Sequence, residues 1–317
     1  MSKYVIIGAG TIGSLVAKEL AQQGHQIALG SRHGSGPEQS GIEKVRVDAT
    51  DEASILSLTK GSSAIINCAN PPYHRWVTDW PPIANSLLQA AKKSGADLVT
   101  LGNLYPYGLV DGPITPQHPL AATYAKAQVR AKMWTDALNA HTTGYLRATE
   151  LRASDFIGPD AHSLFETRTV SRLIHGRTCW FFGDLDLPHS WTYVGDAAKA
   201  ITVAVQSESA WGRAWHVPTN PPRTIRQVVN DFADVGKLPR ARIATIPNSI
   251  IRAAGIFSPL IRELPKTLYQ FTHPFVIDDS EARVAFGLEP TPWPLILDVT
   301  LNHNCRQDFY LKEPKKR

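Results

Sequence analysis

A short apolar run, "KYVIIG", leads into "GAGTIG" and then into a stretch with helical spacing at Leu15, Val16 and Leu20. This order of strand, glycine loop and helix constrains the chain more than any other feature. In Gly8-x-Gly10-x-x-Gly13 the first glycine permits a tight turn. The second lets a phosphate approach the backbone, and the third lets the helix pack closely on the strand. The free N–H groups at the start of that helix, from Thr11, Ile12 and Gly13, suit a pyrophosphate.

The pattern continues. "QIALG", "VRVDATD", "AIINCAN" and "DLVTLGN" each read as a strand followed by a polar turn. "PPIANSLLQAAKKSG" carries a helical stripe at Ile83, Leu87, Leu88 and Ala91, closed by Gly95. Strand and helix alternate to residue 152, which predicts an α/β fold with a doubly wound parallel sheet. Beyond "LRASDFIGPD" the alternation weakens and Trp, Pro and Arg become frequent. "SWTYVGDAAKAITVAV" reads as a strand and a helix with Asp196 as N-cap. "TIRQVVNDFADVGK" reads as a helix with Thr224 as N-cap and a stripe at Ile225, Val228, Val229 and Phe232. The segment 247–274 reads as further helices. A chain of 317 residues exceeds one typical core. We therefore expect a sheet domain over 1–155, rejoined by 190–218, and a smaller C-terminal substrate lobe from 156–189 and 219–317.

Composition narrows the function classes. The chain is 43% hydrophobic and 19% charged, ordinary for a soluble globular protein, and no apolar run is long enough to span a bilayer. Its start runs straight into a strand, leaving no room for a secretory leader. Cys68, Cys179 and Cys305 are far apart, and no Cys-x-x-Cys or His-Glu-x-x-His occurs, against a disulfide frame or a zinc site. The expectation is a reducing cytoplasm. The net charge of +5 comes without a basic run interleaved with aromatics, so nucleic acid is not expected as a partner.

The end of the second strand selects between dinucleotides. An acid there accepts from the ribose 2′-hydroxyl of NAD, whereas Arg favours the 2′-phosphate of NADP. The sequence is "GSRHGSG", with Ser31 and Arg32 where an acid would stand. Arg32 can fork onto a phosphate, with Ser31 adding a hydrogen bond. Asp48, after the third strand, suits either the adenine amino group or a turn. The cofactor expected is NADP(H).

"GAGTIG", "VDATD", "LVTLGNLYPYG", "LRASDFIGP" and "SWTYVGDAAKAI" together resemble an extended short-chain dehydrogenase/reductase of the NAD-dependent epimerase/dehydratase type, over nearly the whole chain. The resemblance implies a Rossmann domain with the cofactor in the glycine loop and a small-molecule substrate between the lobes. It also implies a Ser or Thr after the fifth strand and a Tyr-x-x-x-Lys on the next helix. Here the chain departs: no Tyr has Lys four residues on. In "TYAKAQVR" two registers fit. Either Tyr124 keeps the Tyr place with Gln128 for Lys, or Lys126 takes the Tyr place and Arg130 the Lys place. Helical periodicity favours the second, which turns Tyr124 about 200° away from Lys126 as a packing residue. The Ser/Thr place falls at or near Asn103, with Thr100 and Gly102 upstream. Asn can hold an oxyanion but cannot relay a proton. Tyr105, Tyr107 and Tyr124 are the other proton donors within reach.

His118, His162 and His189 fall in loops, with no His–acid pair evident, and read as surface or packing residues. Trp180, Phe181, Phe182, Trp191, Tyr193, Phe271 and Phe275 lean the pocket toward an apolar or ring-bearing substrate. Arg168, Arg172 and Arg177 suit either a diphosphate anchor or a solvated face. The leading expectation is an NADP(H)-dependent oxidoreductase acting on a carbonyl or alcohol, as a monomer or homodimer. The alternatives are a nucleotide-sugar epimerase or dehydratase, and a non-catalytic NADP(H)-binding regulator.

Overall fold

The computed structural model describes residues 1–161, 163–247, 250, 256 and 266–312. Strands β1 (Lys3–Ile7), β2 (Gln26–Ser31), β3 (Ile42–Arg46), β4 (Ala64–Asn67), β5 (Asp97–Asn103), β6 (Ala148–Ala153) and β10 (Ala214–His216) form one sheet in the order β3-β2-β1-β4-β5-β6-β10. Every pairing in it is parallel. The order reverses beside β1, so the glycine loop opens at the switch point, where doubly wound sheets bind ligands.

Both faces are covered, which is why the central strands β1, β2 and β4 are near-continuous apolar runs. On β1, Val5 and Ile7 face one side and Tyr4 and Ile6 the other. The first pair packs with α2 (Glu52–Thr59), α3 (Trp76–Ser94) and α4 (Ala125–Thr142), through Ile55, Trp80, Leu87, Trp134 and Ala137. The second packs with α1 (Thr11–Gln22) and α6 (Val194–Ala204), through Val16, Leu20, Ala197 and Ile201. A smaller core joins Val170 and Leu173 of α5 (Leu164–Ile174), Val228 and Phe232 of α7 (Ile225–Val235), and Ile296 and Leu297 of the C-terminal helix Trp293–Lys312. Two parallel ribbons border it: β7 (Asp155–Ile157) with β9 (Trp191–Tyr193), and β8 (Cys179–Phe181) with β11 (Ile243–Thr245). No helix among the described residues is long and apolar enough to cross a membrane.

Local signals held where the chemistry is local. Gly95 ends α3 in the left-handed region, φ 73°. Thr224 caps α7 in a full capping box with Gln227, worth about 1 kcal/mol. Tertiary contacts override them elsewhere. Helix α3 starts at Trp76, well before the expected stripe at Ile83, and runs through Pro81 and Pro82. The buried Trp76–Trp80 pair extends its apolar face and outweighs the lost backbone bonds. Asp196 does not cap α6; Tyr193 does, and the Asp196 carboxylate accepts from Thr291 N at 2.9 Å and Thr291 Oγ1 at 2.6 Å. In the segment 247–274, residues 248–249, 251–255 and 257–265 lie outside the described residues, as does His162.

A buried polar chain runs along the β6–β10 edge. Arg152 Nε donates to Glu150 Oε2 at 2.6 Å, and Arg152 Nη1 donates to the Tyr107 hydroxyl. Tyr107 donates to His216 Nε2 at 3.0 Å, so the ring proton sits on Nδ1, which donates to the Asp278 carbonyl at 2.9 Å. Burial, reinforced by the Arg152 charge, pushes the His216 imidazole down to about 3. The unfolded chain takes up this proton near pH 6.5, whereas the fold refuses it until about 3. This contribution to stability is therefore complete above about pH 6.5 and is lost as pH falls toward 3. We expect His216→Gln to flatten the loss of urea stability in that window by up to about 1.4 kcal/mol per pH unit. An unchanged slope would assign the acid sensitivity elsewhere.

Candidate active site

The glycine loop is built as the spacing requires. Gly8 has φ 108°, and a Cβ there would come within 2.4 Å of the Cys68 carbonyl oxygen. A Cβ on Gly13 would lie 1.9 Å from Gly8 O. These two glycines lock the loop against β4 and α1. Gly10 differs: no atom lies within 4 Å of a Cβ built on it. It is the N-cap of α1, with no side-chain cap and no acid in the first turn. The space beside Gly10 is open at a positive helix end, where the first-turn N–H groups of Thr11, Ile12 and Gly13 make a cradle suited to a pyrophosphate. Thr11 Oγ1 is committed to the Asp160 carbonyl at 2.6 Å.

At the end of β2, Ser31 Oγ accepts from Ser35 N at 2.9 Å, which pins the loop. Arg32 is exposed and makes no hydrogen bond or ion pair among the described residues, and no acid stands between positions 26 and 37. Asp48 forms a turn: Oδ1 accepts from Thr50 N and Thr50 Oγ1, both at 2.9 Å.

Because the sheet is parallel, the residues after β4, β5 and β6 emerge at the same end as the glycine loop. Asn103 Oδ1 accepts from Tyr105 N at 3.2 Å, tying the strand end to the turn Tyr105–Tyr107 and leaving its Nδ2 hydrogens as donors. Tyr73, Trp76, Tyr105 and Tyr124 form a chain of edge and tilted ring contacts at 5.1–6.3 Å. Lys126 is 3% exposed, with Nζ 3.5 Å from the Tyr73 ring centroid. Burial pushes Tyr105 well above the ordinary tyrosine value, with Tyr73 and Asp155 adding. Burial likewise raises Tyr124, beside Tyr269, and pushes Tyr269 up to about 12. At neutral pH all three hydroxyls keep their protons.

Tyr124 does not turn away from Lys126 by helical steps. Helix α4 begins at Ala125, and Tyr124 is its N-cap with extended backbone, φ −81°, ψ 144°. Outside the helix it is not bound to the 100° step, so Tyr124 and Lys126 converge on the Tyr73–Tyr105 cluster. Arg130 goes elsewhere. It is 3% exposed, donates to Leu101 O at 2.6 Å, and lies 4.7 Å over the Trp80 ring.

His118 caps a turn, accepting from Thr115 N at 2.9 Å. Arg172 donates to Thr178 O, Arg177 is exposed, and the Arg168 side chain lies outside the described residues. A His–acid pair does exist: His189 Nε2 and Asp155 Oδ2 are 2.8 Å apart. The partners are 34 residues apart, so local spacing carried no sign of them. They meet because β7 and β9 pair in parallel, with Asp155 opposite Trp191. Asp155 lies two residues past the end of β6, beyond the same end of the sheet as the glycine loop. Among the described residues no group of three His, Cys, Asp or Glu could hold a metal.

The profile of the NAD dependent epimerase/dehydratase family matches residues 4–217. No curated protein sequence matches the chain. Among solved structures, dTDP-glucose 4,6-dehydratase from Bacillus anthracis, in complex with NAD, is similar at 18% identity and TM-score 0.79, covering 98% of both chains. A UDP-N-acetylglucosamine 4-epimerase from Methanobrevibacter ruminantium, bound to UDP-N-acetylmuramic acid, has 15% identity and TM-score 0.81, over 96% of this chain and 99% of that one. The Bordetella bronchiseptica enzyme WbmH, in complex with NAD+, has 19% identity and TM-score 0.75, over 96% and 98%.

Proposed function

The chain belongs to the NAD dependent epimerase/dehydratase family, and from that premise we propose that it catalyses hydride exchange between a nicotinamide dinucleotide and a carbinol carbon of a nucleotide-linked sugar. The observation that carries the reading is the uncapped start of α1, open at Gly10, on the same sheet end as Tyr105, Tyr124 and Lys126. The Thr11, Ile12 and Gly13 N–H groups would hold the pyrophosphate of a bound dinucleotide, which would supply the chemistry of hydride donation or acceptance. The Asn103 amide donates to the substrate oxygen, and the Lys126 charge favours an alkoxide there. We assign the described residues of 156–189 and 219–312 to the substrate lobe. Retention of the same cofactor through turnover distinguishes epimerase or dehydratase chemistry from net oxidation or reduction.

One observation favours the second reading, net reduction of a small, partly apolar carbonyl compound: the Tyr73–Tyr105–Tyr124 ring cluster makes an aromatic wall at this end of the sheet. The missing Tyr-x-x-x-Lys favours instead a non-catalytic NADP(H)-binding regulator. Incubation with UDP-glucose and sub-stoichiometric cofactor decides: product in excess of cofactor supports the sugar reading. Stoichiometric loss of NADPH with simple aldehydes and ketones supports the reductase, and binding without any turnover supports a regulator.

Arg32 supports NADP(H) over NAD(H). A charge-assisted hydrogen bond contributes about 1.5–3 kcal/mol, so Arg32→Ala should weaken NADPH about ten- to a hundredfold. NADH affinity should change by less than about twofold, because the 2′-hydroxyl gives Arg32 no charge to pair with. Titration of both cofactors checks this. Equal losses, or tighter NADH binding by the unaltered chain, would remove Arg32 from the site.

A further inference from the structure

His189 sits where the large sheet meets the smaller core. It is 2% exposed, its ring stacked on Phe271 at 5.0 Å and packed against Trp191 at 4.6 Å and Phe275 at 5.3 Å. Both ring nitrogens are engaged: Nδ1 lies 3.2 Å from the Gln270 carbonyl oxygen, Nε2 2.8 Å from Asp155 Oδ2. A carbonyl oxygen only accepts, so Nδ1 carries a proton. Neutral imidazole would then present a bare lone pair at Nε2, which an ionised carboxylate cannot face at hydrogen-bond distance. A second proton therefore lies between them, as imidazolium with carboxylate or as imidazole with carboxylic acid.

The surroundings do not neutralise the pair in another way. Arg223, beside His189 through a backbone bridge, is ion-paired with Asp231 at 3.1 Å. The ionisable groups that sense Asp155 are Tyr105, after β5, and Tyr269, one residue before the carbonyl that holds His189. The Asp155 side chain is 30% exposed, so the pair is reachable from outside through Asp155 although His189 is not.

We propose that Asp155, held by His189, is the proton donor and acceptor of this cleft, in the place left by the missing Tyr-x-x-x-Lys. Its protonation rests on geometry alone; its role rests on the hydride reading. The resting pair is loaded for the reductive direction. As a carbonyl carbon accepts hydride and its C=O double bond opens, the oxygen takes the pair's proton and an O–H bond forms. The pair is left one proton short, with the Asp155 carboxylate facing the bare Nε2 lone pair, a repulsive state that drives uptake of a proton from water. Oxidation runs the same exchange backwards.

Nitrogen-15 histidine spectra of the full chain test the protonation without a substrate. His189, identified by loss of its signals in His189→Gln, should carry hydrogen on Nδ1 at about pH 7.5, a pH at which a solvated histidine is mostly neutral with its proton unpinned. An Nε2–H tautomer with bare Nδ1 would overturn the pair. With whichever substrate turns over, Asp155→Asn should lower kcat about 10²–10³-fold and abolish its pH dependence. KM and NADPH affinity should stay within about twofold, which a merely structural role would not produce. Unchanged kcat in Asp155→Asn overturns the role. If the unaltered chain turns over nothing while His189 keeps its Nδ1 proton, the hydride reading and the role fall together and the protonation stands.

Discussion

Gly10→Val should abolish dinucleotide binding in a chain that still folds. The three glycines of the loop differ in what a side chain would meet. A side chain at Gly8 or Gly13 collides with backbone, at 2.4 Å from Cys68 O and 1.9 Å from Gly8 O respectively. Those substitutions force the loop or α1 to move, so lost binding would say nothing about a cofactor. At Gly10 the backbone angles, φ −74° and ψ −171°, suit any residue, and an added Cβ meets nothing. The cost to the fold is limited to a poorer N-cap, about 1 kcal/mol. The isopropyl group fills the space in front of the free N–H groups of α1, where a pyrophosphate would lie. Calorimetric titration should show NADPH and NADH both weakened by at least about a hundredfold, or about 2.7 kcal/mol. Circular dichroism and thermal unfolding should remain close to those of the unaltered chain. Undiminished binding would mean that the dinucleotide does not use this helix end.

The sheet and the glycine loop were legible because their signals are short-range: apolar runs of strand length, fixed glycine spacing, Gly95 and Thr224 at helix ends. The catalytic side was less so, and "TYAKAQVR" shows why. Periodicity assumes that a residue is inside the helix, but Tyr124 lies one position before it, where the backbone is extended. An angle computed from helical steps then sends the side chain the wrong way. Lys126 was singled out and does reach the tyrosine cluster, whereas Arg130, on the same stripe one turn later, ends between the helix and the sheet on Leu101 O. Stripe membership specifies direction, not depth. His189 and Asp155 were invisible as a pair for a different reason. Each belongs to a recognisable segment, "HSWTY" and "SDFIG", but only the parallel pairing of β7 with β9 brings the two into contact.

Arg152→Met should be the most destabilising of the substitutions considered. Arg152 is 1% exposed and holds both Glu150 and Tyr107. The sheet is shaped for this pair: a Cβ on Gly102 of β5 would come within 2.6 Å of Glu150 Oε1. Methionine fills the space of the arginine stem but leaves the Glu150 carboxylate buried without its partner. Breaking one side of a buried ion pair costs about 3–5 kcal/mol. Arg130, whose charge is felt by the same carboxylate, should hold the loss toward the lower end. The effect should reach the cleft as well. Tyr107 closes the turn that carries Tyr105, and without Arg152 its hydroxyl retains only His216 and a long contact to Pro116 O, at 3.4 Å. The double variant Glu150→Met/Arg152→Met separates the pair's attraction from the cost of stranding one charge. It should be more stable than Arg152→Met alone, because removing both charges removes the desolvation penalty of both. Urea midpoints of the two single variants and the double one give the coupling directly. If the losses simply add, or if Arg152→Met costs less than about 1 kcal/mol, the pair is not what ties the Tyr105 turn to the sheet.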